Sequence, residues 1–193
     1  MAELGGVVAM QVVVDGGWPD ESLRMTVWRH VAHSHAENLL IFTDRQDHAS
    51  GINAVEQCYW CAVANSFVLD WLLRQSVAST LNMFYLYQLP VPRLPSTDAR
   101  CNSIARRAAK LICTESAYDG LARDVGLSSH QDGATDPAER ERLRAELDGL
   151  VAHLYGLSEE EFTHILGTFP LVAEPVKVAA LHAWRDVQKG LLD

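Results

Sequence analysis

Between residues 53 and 75 apolar side chains fall on almost every side of a helical wheel: Val55, Tyr59, Trp60, Val63, Phe67, Val68, Trp71 and Leu72. A helix that is apolar on several faces belongs in the middle of a core, so the rest of the chain has to be built around it. Asn53 is placed to cap its start. A polar turn through Arg74, Gln75 and Ser76 follows. Residues 80–89 (TLNMFYLYQL) then read as an aromatic-rich strand. Pro90 and Pro92 end its ladder, because neither has an N–H to donate. The unit from Asn65 to Leu94 shapes a surface and contains no obvious catalytic group.

The flanking sequence reads as mixed secondary structure. Residues 7–14 (VVAMQVVV) are β-branched and short, and Asp15-Gly16-Gly17 closes them with a turn signal. Residues 23–31 alternate and 39–42 (LLIF) are apolar, which predicts two more strands. Thr97 or Asp98 caps a helix reaching to about residue 115, with Ile104, Ala108, Leu111 and Ile112 as its apolar stripe. Residues 128–135 (SSHQDGAT) read as a linker. Asp136, Pro137 and Glu139 form a helix start, and Leu143, Leu147, Leu150 and Leu154 repeat at helical spacing before Gly156 stops the helix. Ser158 and Glu161 open the next helix, which carries Phe162, Ile165 and Leu166, and a last helix begins near Pro175. The expectation is an α+β fold: a small mixed sheet around a central buried helix, followed by a C-terminal helical hairpin. The α+β domain would occupy 1–127 and lack its amino-terminal end. The linker would be 128–135 and the helical tail 136–193.

The formal net charge is −9, which argues against a general nucleic-acid binder. The charge is unevenly spread, however. From Trp71 to Lys110 the basic residues Arg74, Arg93, Arg100, Arg106, Arg107 and Lys110 face only Asp98. From Asp119 onward acids dominate, so one face can attract phosphate while the rest repels it. No run is long and apolar enough to span a bilayer, and the first residues show no basic leader. No membrane partner and a cytoplasmic location are expected.

Enzymatic signatures are missing. There is no phosphate-binding loop, no dinucleotide fingerprint and no nucleophile elbow around Ser66 or Ser76. Pro19-Asp20 with Glu21 loosely matches a nuclease motif, but its lysine is absent. His30, His33, His35 and His48 have no carboxylate or cysteine spaced to complete a metal site and read as surface residues. Cys58 and Cys61 form a CxxC inside an apolar helical pattern. Cys101 and Cys113 do not supply the second pair that a structural zinc requires. Buried reduced thiols are expected; a redox or metal protein is the rival reading. No cofactor, no metal and no catalytic residue are expected.

What remains is a recognition surface. Arg74, Gln75 and Asn82 surround the helix-to-strand turn, and their side chains suit base edges. Arg93 follows the Pro-x-Pro exit, while Arg100, Arg106, Arg107 and Lys110 suit the phosphate backbone. The bland alternatives are that Arg74 caps a helix end and that Arg106 pairs with the acidic tail.

The stretch NSFVLDWLLRQSVASTLNMFYLYQLPVPRL resembles the C-terminal target-recognition region of type IIG restriction–modification enzymes and related N6-adenine DNA methyltransferases. In that family a helix of the form N-S-x-x-x-D-x-x-x-R runs into L-N-x-F-x-x-x-Q-L-P-V-P. Asn65, Ser66, Asp70, Arg74, Leu81, Asn82, Phe84, Gln88, Leu89, Pro90, Val91 and Pro92 match it. Residues 24–42 resemble the family's preceding strand pair, and 143–172 resemble its closing helical segment. The family's glycine-rich cofactor loop, its Asn-Pro-Pro-Tyr-type motif and its nuclease motif do not occur here. The resemblance implies the specificity end of such an enzyme without its engine. Double-stranded DNA and a methyltransferase or restriction subunit are the implied partners. The rival is a protein-interaction module that docks through its leucine-striped tail.

Overall fold

The computed structural model describes residues 53–76 and 88–193 and, as backbone only, three strands, β1 (Val7–Val13), β2 (Arg24–His30) and β3 (Leu39–Thr43). The strands lie in the order β1-β2-β3 and pair antiparallel throughout. The rest is helical: α1 (Ala54–Ala64), α2 (Phe67–Ser76), α3 (Ala99–Ile112), α4 (Asp119–Asp124), α5 (Pro137–Leu154), α6 (Glu159–Gly167) and α7 (Glu174–Gln188). Short 3-10 turns at Ser116–Tyr118 and His130–Asp132 complete it.

This corrects the expected fold class. Among the residues with described side chains every regular element is a helix, and the buried core is drawn from helices and their connections. Among the residues with described side chains no sheet surrounds α1, so the expected α+β fold with a mixed sheet around a central helix is not what this part forms. Within this helical part α1 packs on α3, and both α1 and α2 touch α5; the β3 backbone also approaches α1. The strand expected over 80–89 lies mostly outside the described residues; Gln88 and Leu89 are in a turn and irregular backbone.

The single long helix expected over 53–75 is broken at Asn65-Ser66. The Asn65 side chain donates to the Cys61 carbonyl (2.8 Å), and the Ser66 hydroxyl donates to the Val63 carbonyl (2.8 Å). These short polar side chains compete with the backbone for its own hydrogen bonds, which ends α1. The Ser66 hydroxyl then accepts from the Leu69 N–H (3.2 Å) and starts α2. Asn53 and Glu56 form a reciprocal capping box at the other end of α1.

The carboxyl-terminal helices begin where the sequence puts them. Asp136 caps α5, Ser158 and Glu161 box the start of α6, and Gly156 takes the left-handed conformation (φ 68°) between them. Their packing differs from a simple hairpin. α5 lies chiefly along α7, and α6 reaches both α2 and α7. The close α5–α7 approach depends on Gly149, where an added Cβ would stand 2.6 Å from the Trp184 backbone nitrogen. Leu143, Leu147 and Leu150 are buried and Leu154 packs against the same cluster, so the leucine stripe faces the chain's own core. That removes it as a docking surface for a partner helix.

The expected linker is pinned. The Ala134 N–H donates to the Lys110 carbonyl (2.8 Å), Arg140 donates to the Leu111 and Ala134 carbonyls, and the His130 N–H donates to Asp119 (2.8 Å). One hydrophobic cluster runs through both sides of it, from Cys58 to Trp184.

Asp148, 4% exposed in α5, joins the two regions. Its Oδ1 accepts from the Phe67 N–H at 2.9 Å, at the first residue of α2. A carboxylate at a helix amino terminus is favoured by the orphan N–H groups and by the helix dipole. Asp148→Ala leaves that buried donor unpaired and is expected to cost about 1–3 kcal/mol. Urea unfolding followed by circular dichroism checks this; an unchanged midpoint would show that the contact contributes nothing.

Candidate nucleic-acid interface

The basic residues between Trp71 and Lys110 divide into two groups by their neighbours. Arg74 belongs to the scaffold. Its Nε and Nη2 donate to both Asp70 carboxylate oxygens (3.1 and 2.8 Å), one helical turn away. Its guanidinium carbon lies 4.6 Å from the centre of the Phe169 ring, which meets Phe67 edge-on at 4.9 Å. The Asp and Arg of the family-like motif thus clamp α2 to the segment after α6. The Gln75 side chain donates to the Trp71 carbonyl (3.3 Å). Asn82 lies outside the described residues.

The Pro-x-Pro exit is anchored. The Tyr59 hydroxyl donates to the Pro92 carbonyl (2.7 Å), and Val91 and Leu94 pack on the core. Arg93, between fixed neighbours, is exposed. Asn102 holds the next loop by donating to the Ser96 (2.7 Å) and Asp98 (2.9 Å) carbonyls.

α3 presents the rest. Cys101, Ile104, Ala105, Ala108 and Ala109 face the core. Arg100, Ser103, Arg106, Arg107 and Lys110 are spaced three and four apart, which puts them together on the opposite side. Arg100 pairs with Asp98, the residue that caps α3 (2.7 Å). Hydrogen bonds from Arg100 hold the Asp98 carboxyl down to about 2. Arg107 pairs with Glu146 of α5 (2.8 Å) and also donates to the Ser103 hydroxyl and to the Asp193 carbonyl. Arg106 is exposed and Lys110 half-buried, and neither forms an ion pair among the described residues. The face therefore keeps cationic side chains, but fewer available charges than the sequence suggests.

Sequence reasoning missed Asp148, Tyr59, Glu146 and Phe169, whose partners lie far away in the chain. Asp148 had a signal: it sits beside Leu147 and three residues before Val151, on the apolar face of α5. A carboxylate there requires a buried partner.

The cysteine readings resolve into packing. Cys58, Cys61, Cys101 and Cys113 are all buried and none forms a disulfide. Cys58 and Cys61 lie inside α1, away from its amino terminus. Burial pushes the Cys58 and Cys101 thiols up, and Cys113 to about 11. Among the described residues no group of three or more His, Cys, Asp or Glu is arranged to hold a metal ion. The histidines at 30, 33, 35 and 48 and the Pro19-Asp20-Glu21 segment lie outside the described side chains. Among the described residues no helix is long and apolar enough to cross a membrane.

No protein-family model, curated protein or solved structure matches the chain.

A thiolate is the reactive form, and burial both disfavours it and blocks access. The native protein is expected to react with less than one equivalent of Ellman's reagent in minutes at mildly alkaline pH, and with all four thiols after denaturation. A fast-reacting thiol in the folded chain would restore the redox reading.

Proposed function

We propose that this chain is a non-catalytic DNA sequence-recognition module of a restriction–modification or DNA adenine methyltransferase system. Its role is to lend specificity to a methyltransferase or restriction partner. On this reading it works in the cytoplasm, binds double-stranded DNA and needs no cofactor of its own.

The observation that carries the proposal is the outward face of α3, with Arg100, Ser103, Arg106, Arg107 and Lys110 directly opposite a buried face. Such a row suits the sugar–phosphate backbone, which fixes a protein's register without reading sequence. The resemblance of residues 65–94 supplies the restriction–modification context. The matched residues act as scaffold: Ser66, Asp70 and Arg74 fix α2, and Pro92 is held by Tyr59. The stretch that connects these two anchored ends, which includes Asn82, is where base reading is assigned. The acidic remainder of the surface limits non-specific attachment and makes binding sensitive to salt.

Fluorescence anisotropy with a random-sequence duplex, at low and then moderate salt, tests this. Binding is expected to weaken steeply as salt rises. Arg93→Ala, Arg106→Ala and Lys110→Ala should each weaken it across sequences and lower the salt slope by about one. Absence of binding at low salt, or binding insensitive to salt and to these changes, would overturn the proposal. Methyl transfer from S-adenosylmethionine by the pure chain would overturn its non-catalytic part.

A further inference from the structure

α3 ends and α5 begins beside one small cavity. Its volume is about 390 Å³, at the small end of the range that ligand sites occupy. Leu111, Ile112 and Ala134, all buried, give it an apolar lining. Thr114, Tyr118 and Thr135 add three hydroxyls, and none of these bonds another group among the described residues. Arg140 supplies a cation, and Glu115 lines the same cavity as an exposed residue. The protein itself holds the walls in place. The Ala134 N–H donates to the Lys110 carbonyl (2.8 Å). Gly133 lies so close to the end of α3 that an added Cβ would collide with the Cys113 carbonyl.

Arg140 is fixed through one of its nitrogens. Nη1 donates to the Leu111 carbonyl (3.0 Å) and to the Ala134 carbonyl (2.8 Å), both of them residues of the cavity lining. These bonds use both Nη1 hydrogens and keep the guanidinium from turning. Its lateral fork, Nε and Nη2, makes no hydrogen bond or ion pair among the described residues. Elsewhere in the chain the same fork takes a carboxylate. Arg74 lays it on both oxygens of Asp70, and Arg100 lays it on both oxygens of Asp98. Satisfying two carbonyls at the end of α3 requires only a cation with donors, which a lysine also provides. The flat fork is surplus to that task.

We infer that Arg140 and this cavity form a binding site for a small carboxylic acid with a short apolar body. The carboxylate takes the Nε and Nη2 fork, the planar pairing that a guanidinium and a carboxylate favour. The apolar body rests on Leu111, Ile112 and Ala134, and the three hydroxyls supply further donors. Glu115 opposes the charge of the acid, but it is exposed, so water and salt screen it. The site stands apart from the DNA reading, since it uses neither the basic face of α3 nor residues 65–94.

The test titrates the full chain with isobutyrate and, as the uncharged control, isobutyramide. NMR follows the Arg140 side-chain Nε–H, assigned by its loss in Arg140→Lys, and the Ala134 amide. Saturable shifts at both positions are expected with the acid, and a response at least about tenfold weaker with the amide, which cannot engage the fork as an anion. Arg140→Lys keeps a donor for the two carbonyls, so its melting temperature should stay near that of the native chain. Its acid binding, read at the Ala134 amide, should fall at least about tenfold. Glu115→Gln should tighten acid binding about twofold, because a like charge is removed. A saturable response to none of isobutyrate, propionate and benzoate would overturn the site. So would equal responses to acid and amide, or unchanged binding in a folded Arg140→Lys. Weaker binding in Glu115→Gln would show that the charge of the acid does not lie in this cavity, and would overturn it too. The amide comparison uses the native chain, so it decides the matter even if Arg140→Lys fails to fold.

Discussion

Asp148 sits inside the apolar face of α5 and receives the first N–H of α2, and the arrangement of the helices follows from that contact. A buried carboxylate is tolerated only where hydrogen bonds compensate its lost hydration. The amino terminus of a helix provides such a place. The contact fixes where α2 starts, which is also where Asn65 and Ser66 break the preceding helix. It ties α2 to the carboxyl-terminal helices. Gly149, the next residue, lets α7 approach closely enough to cover the other side of α5. Two adjacent residues of one helix therefore set the positions of two others.

The surface follows from the same packing. Once α3 has buried its alanine-rich side against α1, its basic side chains have nowhere to go but outward. Several then meet nearby carboxylates: Arg100 meets its own helix cap and Arg107 meets Glu146. The solvent-facing Arg100–Asp98 pair contributes little to stability, whereas the Arg107–Glu146 pair is largely shielded from solvent. Their larger effect is to limit which cations are offered to a ligand.

Much of the helical structure was legible in the sequence because its signals are local. Asp136 with Pro137, Ser158 with Glu161, Asn53 and Gly156 act within one helical turn, and each is found where its pattern indicates. The fold class was not legible. Apolar periodicity says that a helix is buried, but not whether a sheet or other helices bury it. The break at Asn65-Ser66 was hidden for the opposite reason, as the apolar pattern runs straight through it. The candidate interface was legible in composition and not in availability. Asp70, Asp98 and Glu146 decide which arginines are engaged, and Glu146 reaches Arg107 from 39 residues away.

The central claim is that α1 to α3 and the carboxyl-terminal helices form one cooperative body joined at Asp148 and Phe67. Native-state amide hydrogen exchange tests it most directly, because separate bodies open with separate free energies. The account predicts that the slowest amides of α1, α2, α3 and α5 open together, and that the Phe67 amide is among the protected. If α5 and α7 exchange through an opening of their own that leaves α1 to α3 protected, the account is contradicted.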